Sequence, residues 1–291
     1  MMSLAMFAPL AVSTGLAVVV AAVHRRLPPV AAARLIAAVL MVMAAAAIPT
    51  SWILAVGYVA HMPMLGGRFD WCVDALGVHS PIDPWFGVPA LVVSAVGFVR
   101  ARRVLVTYRR LRSGRPGGVE IAEHDTLFAY TLPGRSGHVM LSSALVDLLS
   151  DVERDVVVAH EQGHAQFRHD RYLLACELAA AWLPPLRPMA TRLRYSLERW
   201  ADEHAVAVCG DRRLVARTLG KVALSGAVPA AAIGFTGGGV AARVAALLGP
   251  PPVPLRSGVL IGVSLLVASS VAFGLVQVHH LAGMITAFCA G

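Results

Sequence analysis

The chain has 291 residues, of which 57% are hydrophobic and 14% charged, with a mean hydropathy of +0.68. Those values exclude an ordinary soluble protein and predict a polytopic α-helical membrane protein. The formal charge of +8 comes almost wholly from arginine, Lys221 being the only lysine, and because the arginines crowd beside apolar runs they read as orientation anchors, with no nucleic-acid partner expected.

Residues 4–23 form an uncharged run long enough to cross a hydrocarbon core, followed at once by His24-Arg25-Arg26. No basic residue precedes the run, so it reads as a retained span with the N-terminus outside and the arginine pair in the cytoplasm. A short Pro28-Pro29 loop leads to a second span over 35–60, with Pro49 as an expected kink. Residues 61–85 carry Asp70, Asp74 and Asp83 against Arg68 alone, which suits an outside loop. The third apolar run, 86–99, is short, but Trp85 and the snorkelling Arg100, Arg102 and Arg103 extend it. Seven arginines between 100 and 115 place the following segment in the cytoplasm. A fourth span is expected at 257–278, leaving a short outside tail. The predicted division is therefore 1–106 (three spans), 107–255 (a cytoplasmic α+β domain) and 256–291 (the fourth span and tail), in the plasma membrane with both termini outside.

Within the polar segment, 119–143 alternates around a Pro-Gly turn and predicts two short strands. Ser150 or Asp151 then caps a helix whose first turn is acidic, and further helices are expected over 171–182, 188–209 (closed by Gly210) and 212–224. The Gly-rich 226–239 reads as a linker or a flap, and 241–248 as a short helical turn.

The capped helix carries His160-Glu161-Gln162-Gly163-His164. Histidines four apart lie one above the other on a helix face, so both imidazoles can converge on one zinc ion, and Glu161 can reach a water held there as general base. A catalytic zinc takes three protein ligands, so the set needs completing. His169 comes one residue too early, and without the glycine, for the third histidine of a metzincin. Glu198 is the favoured third ligand, with Asp202 one turn on to support a ligand imidazole; Glu177 and Glu203 compete. His204 and Tyr195 flank Glu198 as possible oxyanion stabilisers. The strand His138, Val139, Met140, Leu141 and Ser142 is a possible edge along which a peptide substrate would lie.

Together AYTLPGRSGHVMLSSALVDLL, VVVAHEQGHAQFRHD and ERWADEHA, set between apolar spans, resemble the BlaR/MecR-type membrane zinc metallopeptidases. The resemblance implies a cytoplasmic zincin-like domain between spans three and four. It implies His160, His164 and Glu198 as zinc ligands, Glu161 as general base and Asp202 as support. It further implies regulatory signalling by self-cleavage or by cleavage of a winged-helix transcriptional repressor; membrane lipid is the other expected partner, from the apolar spans and their arginines. No penicillin-binding sensor follows the fourth span, so β-lactam binding is not expected. A signal would enter through the outside loop and tail, where Cys72 and Cys289 share a disulfide-permissive side. Two alternatives stand beside this one: an HtpX-like quality-control protease, and a non-catalytic membrane sensor or scaffold.

Overall fold

The computed structural model describes residues 8–62, 64, 81–112, 117–134, 137–226 and 238–251, with isolated helical positions between 258 and 279. Most of the expected outside loop, including Cys72, most of the Gly-rich stretch, Cys289 and most of the fourth span lie outside the described residues.

Helix α1 covers Ala8–Val23 and α2 covers Pro29–Ala60. Pro29 stands at the first helical position, where its missing N–H costs nothing, so α2 begins earlier than the apolar pattern predicts. Pro49 is buried inside it. Helix α3, Pro84–Leu111, is capped by the Asp83 carboxylate accepting from the Trp85 N–H, and it runs unbroken through the arginine-rich stretch. By length and composition α2 and α3 could each cross a membrane.

The polar segment opens with three strands, where the sequence predicts two: β1 (Gly118–Ala122), β2 (Ala129–Leu132) and β3 (His138–Ser142). Their order is β1-β3-β2, with β3 parallel to β1 and antiparallel to β2. His138, Val139, Met140, Leu141 and Ser142 are therefore not an edge. They form the central strand, buried throughout, with both rows of backbone hydrogen bonds already taken.

Among the described residues up to 251 six α-helices follow: α4 (Ser143–Leu148), α5 (Asp151–Gln166), α6 (His169–Trp182), α7 (Arg187–Cys209), α8 (Arg212–Leu224) and α9 (Gly238–Leu248). A capping box between Ser150 and Glu153 starts α5, and Glu153 also accepts from Lys221 of α8 at 2.6 Å. Gly210, at φ 75°, closes α7 in the left-handed conformation that glycine adopts without strain. One apolar core joins Ile36, Val39 and Leu40 of α2 to Cys176 and Ala179 of α6 and to Leu193 and Leu197 of α7. Close contact between α3 and α6 depends on Gly97, where an added Cβ would stand 2.7 Å from the Trp182 ring.

Candidate metal centre

The helical rise stacks His160 and His164 on one face of α5, and α7 crosses that face with Glu198 and Asp202, also one turn apart. The two Nε2 atoms lie 3.2 Å apart. Glu198 Oε2 lies 3.5 Å from His160 Nε2, and Oε1 lies 3.4 Å from His164 Nε2. A tetrahedral zinc with bonds of about 2.0–2.1 Å has ligand-to-ligand edges of roughly 3.3 Å. The triangle fits that ion, and its donor set, two imidazoles and a carboxylate, suits zinc.

Around the triangle the charges are paired. Asp202 Oδ1 sits 3.1 Å from His160 Nδ1. Arg243 of α9, 3% exposed, donates from Nε to Asp202 Oδ2 at 2.7 Å and from Nη2 to Oδ1 at 2.5 Å, while its Nη1 lies 2.9 Å from Glu198 Oε2. Burial opposes the charged form of both carboxylates, but the Arg243 guanidinium wins and holds each below its ordinary range. Burial likewise opposes the His160 imidazolium, yet hydrogen bonds to Asp202 and Glu198 push it up to about 10. His164 goes the other way, lowered chiefly by burial.

Glu161 is buried at the foot of the triangle, and the Thr131 hydroxyl of β2 lies 2.8 Å from both its Oε2 and its backbone carbonyl. A cavity of about 1480 Å³ opens here, lined by β2 and its flanking Phe128 and Pro133, by the C-terminal end of α3 (Arg103, Val104, Thr107, Tyr108 and Leu111) and by α8 and α9. Among the described residues the edge of β2 away from β3 pairs with no other strand, and it borders this cavity.

His160, His164 and Glu198 thus form a group able to hold a metal ion. Residues 110–251 match the model of peptidase family M48. This M48-matching segment takes in the end of α3, the sheet and helices α4 to α9, and it supports a metallopeptidase of that family. No curated protein and no solved structure matches the chain. The BlaR/MecR-type subtype is not what the model match identifies.

Within the M48-matching segment several expected residues stand elsewhere. Tyr195 faces away from the cavity, with Arg25 and Arg199 over its ring at 5.7 and 6.0 Å, and His24 edge-on. His204 does not line the cavity either; it packs against Phe167 and under Gly163, behind the triangle. Neither therefore stands where an oxyanion would form: six residues from Glu198, His204 is turned off its helix face, and Tyr195, three residues away, is taken up by the arginines and His24. Glu177 pairs with Arg194 and Glu203 with Arg212, and neither joins the group formed by His160, His164 and Glu198. Sequence reading missed Arg243 and Thr131. A lone arginine in the apolar AARVAALL of α9 was the one available signal for the first, since a charge in such a run needs a buried partner.

Proposed function

We propose that the chain is a membrane-anchored zinc endopeptidase that hydrolyses peptide bonds on the cytoplasmic side. The observation that carries this reading is the triangle of His160, His164 and Glu198 with Glu161 beside it, inside a segment that matches a metallopeptidase family. His160, His164 and Glu198 would hold the ion. When bound, zinc would polarise the scissile carbonyl and acidify water. The Glu161 carboxylate, held by Thr131, accepts the proton of the attacking water and returns it to the leaving amine. Asp202 orients His160, and Arg243 keeps Glu198 ionised.

The free edge of β2 takes the substrate role expected of β3. An extended peptide adding there by main-chain hydrogen bonds lies over Thr131 and Glu161, within the cavity. The anchoring is supported by α2 and α3 and by the arginines beside them. Regulatory cleavage, of the chain itself or of a transcriptional repressor, rests on the motif resemblance; the quality-control reading needs the same site.

Purified wild type and Glu161→Gln, assayed together for bound zinc and for cleavage of an unstructured protein, test the proposal. One zinc per chain in both is expected, with cleavage lost by about 10²–10⁴-fold in the variant. A wild type that binds no zinc, or a variant that cleaves like wild type, overturns it. Comparing cleaved protein termini in cells with and without Glu161 then separates a single regulatory target from broad clearance.

A further inference from the structure

The two ligand histidines are backed by different groups. His160 turns its Nδ1 to the Asp202 carboxylate, whereas His164 Nδ1 lies 2.8 Å from Nδ1 of His169, the first residue of α6. His169 is 1% exposed, with its ring against Trp200 at 4.9 Å and Phe167 at 6.1 Å. Its other nitrogen, Nε2, is buried with no hydrogen-bond partner. Between the two helices Arg168 adopts φ 56°, a left-handed conformation that a non-glycine residue rarely takes. That turn folds residue 169 back under residue 164.

An imidazole that offers Nε2 to a metal carries its proton on Nδ1, and a buried Nδ1–H requires an acceptor. At 2.8 Å the acceptor for His164 is the Nδ1 lone pair of His169, whose own proton is then on Nε2. The reverse tautomer, with His169 donating, would place a proton on His164 Nε2 and block ligation. We infer that His169 is a positioning residue: it fixes the tautomer and the ring plane of His164, and so sets the zinc affinity of the site. The inference rests on the zinc reading above. It also accounts for the orphaned Nε2, since the ring sits where only its Nδ1 can work.

A packing role for His169 predicts the opposite pattern of variants, which makes the test sharp. Phenylalanine at 169 keeps the aromatic cluster and removes the acceptor; asparagine keeps an acceptor near the Nδ1 position and thins the cluster. Full-length wild type, His169→Phe and His169→Asn are titrated with zinc against a competing chelator, and thermal unfolding of the zinc-free forms is recorded alongside. Zinc affinity is expected to fall about 10–100-fold in His169→Phe and to stay near wild type in His169→Asn. His169→Leu, which also lacks the acceptor, replaces the phenylalanine variant if that one does not fold. Wild-type affinity in the acceptor-less variant, or equal losses in both variants, overturns the inference alone. A wild type that binds no zinc overturns the peptidase reading and the inference with it.

Discussion

His160 and His164 are the same side chain one helical turn apart, and the fold makes them chemically unlike. Burial disfavours a charge on each, but Asp202 and Glu198 face His160 and push it up to about 10, while His164 stays below its ordinary value. In the metal-free protein the proton on His160 is therefore favoured well above its ordinary range, and on the proposed reading zinc would displace it. One proton released means that apparent zinc affinity rises about tenfold per pH unit through the neutral range and levels off near 10. The stability counterpart has the opposite slope: the raised pKa adds stability to the metal-free fold in full below the ordinary value of 6.5, and this is lost as pH rises through about 10. Zinc titrations at several pH values check the first statement, and a flat affinity between pH 6 and 8 would contradict it. The histidine pair, Glu161, Glu198 and Asp202 were legible in sequence because helical spacing puts i and i+4 on one face. The groups that tune them were not. Arg243 reaches Asp202 across 41 residues and Thr131 reaches Glu161 across 30, distances at which no local periodicity operates.

At the scale of elements, α9 is joined to the site by one side chain. Arg243 Nε and Nη2 donate to Asp202, Nη1 reaches Glu198, and Val244 and Leu247 pack on the core shared with Val156, Ala205 and Val215. Arg243→Met keeps much of the volume and leaves buried Asp202 and partly buried Glu198 with only the His160 imidazolium opposite them. Removing one partner of a buried ion pair costs about 3–5 kcal/mol, so the metal-free variant should unfold at a clearly lower temperature. Bound zinc would restore positive charge beside Glu198, so zinc should raise the melting temperature more in the variant than in wild type. Thermal unfolding with and without zinc measures both effects; an unchanged melting temperature in the metal-free variant would mean that the guanidinium is not what holds these carboxylates. The strands teach a related lesson. The HVML run of β3 reads equally as an edge or as a covered strand, but the three consecutive apolar residues Val139, Met140 and Leu141 favour burial on both faces, and β3 lies in the centre of the sheet.

Across the whole molecule the apolar helices and the M48-matching segment are not side-by-side blocks. Helix α3 runs past residue 106 into the polar segment, and α2 shares its core with α6 and α7, because the apolar faces of those helices match the composition of the spans. Composition alone could not reveal this, since an apolar helix face reads the same whether it meets lipid or protein. The arrangement brings the end of α3 close to the metal centre. Tyr108 donates to Asp170 Oδ2 at 2.8 Å, and Asp170 adjoins His169, which touches His164. Two hydrogen bonds thus separate a helix that could cross a membrane from a proposed zinc ligand. Tyr108→Phe removes the first of them and leaves Asp170 paired with Arg168 at 3.3 Å. Loss of one such bond is worth about 1 kcal/mol, roughly a fivefold shift in a local opening equilibrium, too small to unfold the protein. Amide hydrogen exchange should therefore quicken about fivefold over the first turn of α6, with global melting little changed. If exchange over residues 169–173 is the same in Tyr108→Phe as in wild type, α3 does not brace the site through this contact. The expected result would make the position of α3 a quantity the metal centre can sense.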